Sequence, residues 1–232
     1  MKSKIIGLED LLNINLPDKT ETYTPISNGV IHDIIVRESS NNNITINKHQ
    51  FITNAKRNKF IGRYIFDTPD SNLKMELMFK NSYDKSISFG LAAGLNVFVC
   101  TNGMVSGELS YKRKHTGDAD INVIDYVKFS MDELVNNYEL LKISIVKFQN
   151  LKLDTNNTKL LLGDLIINDY VNSEQSNIIK SELINSTNFK HYNDDDFTAW
   201  DFYNAVTESY KTSNPRNFIN NHVNFHHFME NI

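Results

Sequence analysis

NSYDKSISFGLAAGLNVFVCTNGMVSGELSYKRKHTGD, residues 81–118, decides the architecture. Short apolar runs recur through it at Ser86–Phe89, Leu95–Cys100, Met104–Leu109 and Tyr111–Lys114, which reads as consecutive antiparallel strands. Thr101-Asn102-Gly103 supplies a hairpin turn, since Asn-Gly tolerates the positive φ that tight turns need. Five of the nine glycines fall here: Gly90, Gly94, Gly103, Gly107 and Gly117. Glycine suits places where backbone turns sharply or approaches another group closely. Past Asp118 the apolar spacing changes from two to between three and four, and the text becomes helical.

Working back from this stretch, Leu73, Met75, Leu77 and Phe79 alternate with Lys74, Glu76, Met78 and Lys80, the pattern of a half-buried strand. Phe60–Phe66 and the segment from Ile44 to Ile52 predict two more strands, joined by a turn over Asn54–Asn58. Ser27 caps a helix over 28–39, and Leu8–Asn13 predicts a short one. Working forward, Val123, Val127, Met131, Leu134, Tyr138, Leu141 and Ile145 share one stripe and predict a long helix over 120–150. Helices follow near 157–171 and 173–185. Thr198 with Asp201 forms a capping box for a helix to about Lys211, and Asn214-Pro215 opens the last one. The expected class is α+β, in a single domain: sheet-rich over about 40–118, helical over about 119–232.

With 40% apolar and 22% charged residues in 232, the chain has the composition of a globular protein with a sizeable core. One cysteine, Cys100, makes no internal disulfide. No signal peptide and no long apolar span are visible, so a cytoplasmic protein without membrane contact is expected. Residues 1–118 carry 15 basic and 12 acidic side chains and residues 119–232 carry 9 and 16, a basic front half and an acidic back half. Such a front half is compatible with a nucleic-acid partner.

Lys56, Arg57, Lys59 and Arg63 surround the first hairpin with Phe60 and Tyr64 between them, and Lys112, Arg113 and Lys114 form a second cluster. Basic residues beside aromatics suit neutralisation of phosphates and stacking of bases on a single strand. A solvated, charge-protected strand edge is the plain alternative. Asn81, Ser82, Asp84, Asn102 and His115 form a possible ligand pocket if the loops carrying them converge; otherwise Asn, Ser and Asp here bond their own turns. Cys100 ends an apolar run and reads as core. His115 with Asp118 or Asp120 has donors for a metal, but acids at a helix start are explained by its dipole. His222, His226 and His227 lack the glutamate of a zincin helix, with Val223 in its place. Trp200 and Tyr203, one turn apart, are expected to dock their helix on the sheet.

Four blocks in order carry a resemblance: NSYDKSISF (81–89), VFVCTNGMV (97–105), KHTGD (114–118) and TAWDFYNAVTE (198–208). They resemble the phage- and plasmid-encoded proteins grouped as the domain-of-unknown-function 932 family. The matching positions are Asn81, Ser82 and Asp84; Cys100, Asn102 and Gly103; His115 and Gly117; Trp200 and Tyr203. The likeness spans roughly residues 25–210. It implies a mobile-element origin in a bacterial host and supplies no activity. The expectation is a non-catalytic protein without cofactor or resident metal that binds single-stranded nucleic acid in mobile-element DNA metabolism. The alternatives are a counter-defence protein that sequesters a host protein or a small signalling molecule, and a metal-dependent hydrolase.

Overall fold

The computed structural model describes residues 3–68, 73–97, 103–186, 189–214 and 216–232. Among these the fold is α+β, a six-stranded antiparallel sheet followed by helices. The strands are β1 (Ser3–Ile6), β2 (Ile46–Asn54), β3 (Lys59–Phe66), β4 (Leu73–Ser82), β5 (Phe89–Val97) and β6 (Gly103–Arg113), and they pair in sequence order as a meander. Helices α1 (Leu8–Leu12) and α2 (Asn28–Asn41) lie between β1 and β2. After β6 come α3 (Ala119–Asn136), α4 (Tyr138–Asn150), α5 (Thr155–Ile167), α6 (Ser173–Asn185), α7 (Ala199–Ser209) and α8 (Phe218–Glu230).

Strand alternation gives the sheet two chemically different faces. One carries Phe51, Phe60, Tyr64, Phe66, Met75, Leu77, Phe79, Leu91 and Leu95, all buried in the main core with residues of α2, α3 and α7. Gly62 sits opposite Phe79 in the β3–β4 ladder. A Cβ at Gly62 would be driven into the Phe79 ring, so the ring occupies the space that glycine leaves. The other face carries Ile61, Arg63, Glu76, Met78, Lys80, Gly90 and Ala92. Ile61, Met78 and Ala92 form a second apolar cluster with Phe218 and Ile219 of α8. β4 is therefore buried on both sides over most of its length rather than half-exposed, because α8 returns from the far end of the chain to cover it.

Several local expectations are met by the backbone. Ser27 Oγ accepts from Val30 N at α2, and Thr198 and Asp201 form the reciprocal capping box of α7. Others are corrected. The 120–150 helix is two helices, because the Asn137 amide bonds the Glu133 carbonyl and carboxylate and the chain restarts there as α4. The strands expected at 86–89 and 95–100 are one strand, β5, within the described residues, and those at 104–109 and 111–114 are one strand, β6. A register shift between Ala92 and Gly94 accounts for the broken apolar pattern. The last helix begins at Phe218 with Asn217 as its N-cap, later than Asn214. β1 has too short an apolar run to stand out in the sequence. Trp200 and Tyr203 stack on each other at 5.5 Å, and Tyr203 packs on Phe148 of α4 and Phe225 of α8, so these helices rather than the sheet receive the aromatic pair.

Candidate functional site

The meander places three connections at one end of the sheet: the β2–β3 turn, the β4–β5 turn and the β6–α3 turn. Each is shaped by short polar side chains. In the β2–β3 turn the Asn54 carboxamide accepts from the Asn58 and Lys59 amides, with Arg57 at φ 50°. In the β4–β5 turn Ser82 Oγ donates to the Ile87 carbonyl at 2.8 Å, and Asp84 accepts from the amide and hydroxyl of Ser86 with Lys85 at φ 64° between them. In the β6–α3 turn Gly117 takes φ 59°, and Thr24 ties the loop down by donating its hydroxyl to the Gly117 carbonyl and its amide to the His115 carbonyl.

Asn81, Ser82 and His115 are brought together, buried, around the segment Tyr23–Asn28. Asn81 donates to the Ile26 carbonyl at 2.7 Å and to the Asn28 side chain at 2.8 Å, and its own oxygen accepts from the Ser82 amide. Tyr23 OH donates to the Ser82 carbonyl, and the Tyr23 ring lies 5.7 Å from the His115 ring. These side chains fasten the chain between α1 and α2 onto the sheet end. Burial lowers the pKa of His115, opposed by the nearby Thr24 and Ile87 carbonyls, and neither ring nitrogen makes a well-formed hydrogen bond among the described residues. Asp84 faces the turn and Lys59, 3.8 Å away. Asn102 and Cys100 lie outside the described residues.

Beside this clasp opens a cleft of about 470 Å³ between the β4–β5 turn, the end of β6 and the start of α8. Lys80, Lys85, Lys112, Lys114 and Arg216 line it, with Thr22, Ser86, Ser88, Thr116 and His115 among the polar groups between them and no carboxylate among the described residues of the lining. Lys80 is the innermost cation, 3% exposed. Its stem runs over Gly90, where a Cβ would stand 3.0 Å from Lys80 Cε, and its ammonium donates to the Arg216 carbonyl at 2.7 Å. Burial, with Lys112 and Arg216 as like-charged neighbours, pushes its pKa down to about 8. Lys85 lies 4.8 Å over the Tyr23 ring. The N-terminus of α8 borders the same space through Asn217 and Asn220, adding the positive end of the helix dipole.

Of the seven cations expected to contact nucleic acid, Lys112 and Lys114 line this cleft. Arg113 alternates to the opposite face, paired in register with core residue Phe89. Arg63 is buried and makes a bidentate pair with Glu76, 2.5 and 3.0 Å. Lys59 approaches Asp84 and Arg57 approaches Asp10 at 3.7 Å, on the same sheet end as Lys56 but outside the cleft lining. Lys80, Lys85 and Arg216 were missed by sequence reasoning. They are 136 residues apart at the extremes, and only the register of β4 on β5 and the return of α8 bring them together.

No group of three or more metal-donor side chains gathers among the described residues. Asp120 approaches Lys19 at 3.8 Å and accepts from the Ile121 amide, and Asp118 is the N-cap of α3. His226 is buried against Tyr203 of α7, and His222 against Tyr210, just past α7, and Phe218 of α8. No helix among the described residues is long and apolar enough to cross a membrane.

No curated protein and no solved structure matches the chain. One family model does, a domain of unknown function, over residues 20–225, which takes in β2–β6, the Tyr23–Asn28 segment and the cleft up to the first turns of α8. On that span the chain belongs to the DUF932 family.

Proposed function

We propose that this protein binds single-stranded nucleic acid, with the phosphate backbone held in the cationic cleft at the sheet end. The observation that carries this reading is the gathering of Lys80, Lys85, Lys112, Lys114 and Arg216 around one cleft with no carboxylate among the described residues of its lining. Like charges held together cost stability, and burying one of them, Lys80, costs more. A phosphodiester offset by these cations relieves both costs. Hydroxyls of Thr22, Ser88 and Thr116 supply neutral donors that phosphate oxygens also take. A partly enclosed cleft of this volume admits one strand and not the width of a duplex. Lys56, Arg57 and Lys59 extend the positive charge along the same end of the sheet. A role in mobile-element nucleic-acid metabolism is part of this proposal.

The test is fluorescence anisotropy with a labelled short single strand, competed by its duplex and by mononucleotides. The reading predicts binding that favours the single strand, weakens with salt, and is lost in Lys80→Met and in Lys112→Glu/Lys114→Glu. A mononucleotide that competes as well as the strand would transfer the reading to sequestration of a small signalling nucleotide. Absence of salt-sensitive binding to any phosphorylated ligand would end it.

A further inference from the structure

The cleft has a side chamber of about 160 Å³ on the α8 side, lined by Lys80, Gly90, Tyr111, Lys112, Ile219, Asn220, Val223 and Asn224. Three of these residues, Lys80, Lys112 and Asn220, also line the main cleft, so the two spaces adjoin. Their chemistry differs. The main cleft is bounded by cationic heads and hydroxyls. The side chamber is bounded by Ile219, Val223, lysine stems and the bare backbone at Gly90. Tyr111 contributes main chain there, since its ring alternates to the other face and stacks on Tyr126 of α3 at 3.4 Å. Two carboxamides, Asn220 and Asn224, stand one helical turn apart on the exposed side of α8, where side chains four residues apart are neighbours. The Asn221 amide between them is already committed to Ser213 Oγ at 3.1 Å.

We infer that the side chamber receives one unstacked base of the bound strand, its flat face against Val223 and the Lys80 stem that lies over Gly90, and its polar edge on the Asn220 and Asn224 amides. This deepens, and rests on, the nucleic-acid reading above. An apolar slot next to a phosphate-holding cleft is what a nucleotide requires of a protein, and a slot of this size suits a base rather than a sugar–phosphate unit. Each amide offers a donor beside an acceptor, and the Watson–Crick edge of every base offers an adjacent donor and acceptor in one order or the other. The slot therefore requires a base without demanding a particular one. Gly90 has a defined part: a side chain there would narrow the slot and push on the Lys80 stem, 3.0–3.2 Å from a Cβ.

The experiment compares two labelled strands of equal length and phosphate count, one oligothymidylate and one fully abasic, against the wild-type chain and Asn224→Ala, a residue of the side chamber and not of the main cleft. Asn224 is exposed, so the variant keeps the fold. The wild type is expected to bind the base-bearing strand about tenfold more tightly, the scale of one or two hydrogen bonds to a sheltered base edge. The variant is expected to lose most of that preference while binding the abasic strand as the wild type does. A second variant, Val223→Met, fills the slot without changing charge and should show the same loss. Equal affinity of the wild type for both strands overturns the inference and leaves phosphate binding standing. So does a preference that survives both variants. Failure of the wild type to bind either strand removes the nucleic-acid reading itself.

Discussion

The two faces of the sheet are built from the same strands and answer to different demands. On the core face Phe60, Tyr64, Leu77, Phe79 and Leu91 interlock, and Gly62 leaves the space that the Phe79 ring takes. On the α8 face Arg63 pairs with Glu76, Lys80 is buried among cations, and Gly90 receives the Lys80 stem rather than a ring. Hydrophobic burial explains the first face completely. It does not explain the second, where a fold selected for stability alone would place Leu or Met in place of Lys80. The difference teaches where to look: the face that departs from good packing carries the cleft.

The sharpest way to break this contrast is at Phe79. Truncation to Ala should cost about 3–5 kcal/mol, since it opens a cavity that Gly62 cannot fill, read as a large fall in the denaturation midpoint. If it costs little, the core face is not the stabilising one. Next comes Glu76→Leu, which takes the carboxylate from buried Arg63 and should cost on the order of 3–5 kcal/mol, whereas the double change Arg63→Met/Glu76→Leu should recover most of it. A double variant no better than the single one would mean that the pair holds the α8 face in shape.

A third test concerns pH and lies away from the sheet. Burial lowers the pKa of His226 to about 4, with Glu230 opposing and His227 and Lys147 adding to the shift. Its unfolded value is near 6.5, so between those values the unfolded chain binds a proton that the native one refuses. Stability is full above pH 6.5 and falls as the pH drops toward 4, by roughly 3 kcal/mol from this group alone. His115 and His32, also lowered by burial, push the same way. Thermal melts from neutral to mildly acid pH check this, and His226→Phe should flatten the profile.

The smallest expected stability effect is at Lys80. Its pKa is depressed in the fold, so at neutral pH its charge opposes folding, and that cost is relieved as the pH rises from about 8 toward the unfolded value. Lys80→Met should leave the melting temperature unchanged or raise it, by no more than on the order of 1 kcal/mol once the lost bond to the Arg216 carbonyl is counted. A strong loss of stability would make Lys80 a structural lysine and weaken the functional account.

Much of the scaffold was legible because it is written in local periods. The alternation at 73–80, the Ser27 cap and the Thr198–Asp201 box each depend on neighbours in sequence, and each appears where its spacing placed it. What the chain did not disclose depends on distant partners. Lys74, Glu76, Met78 and Lys80 read as a solvent face until α8, more than 130 residues later, is laid across it. Lys112 and Lys114 stood out as a run, but Arg113 between them faces the other way, as strand alternation requires. Arg63 stood out as a free cation and is committed to Glu76, thirteen positions away in sequence and one strand away in space. Asn137 broke a helix that the apolar stripe alone would have carried through, because a carboxamide competes for the carbonyl four residues back.

The most direct test of the central claim is the salt dependence of single-strand affinity in wild type and in Lys112→Ala/Lys114→Ala. If the cleft neutralises phosphates, log affinity falls linearly with log salt, by about 0.7 for each phosphate held, and the double variant lowers that slope by about 1.4. The paired change Lys56→Ala/Arg57→Ala, outside the cleft, should lower it by less. An affinity indifferent to salt, or a slope that the cleft variant leaves untouched while the hairpin variant reduces it, would contradict the account.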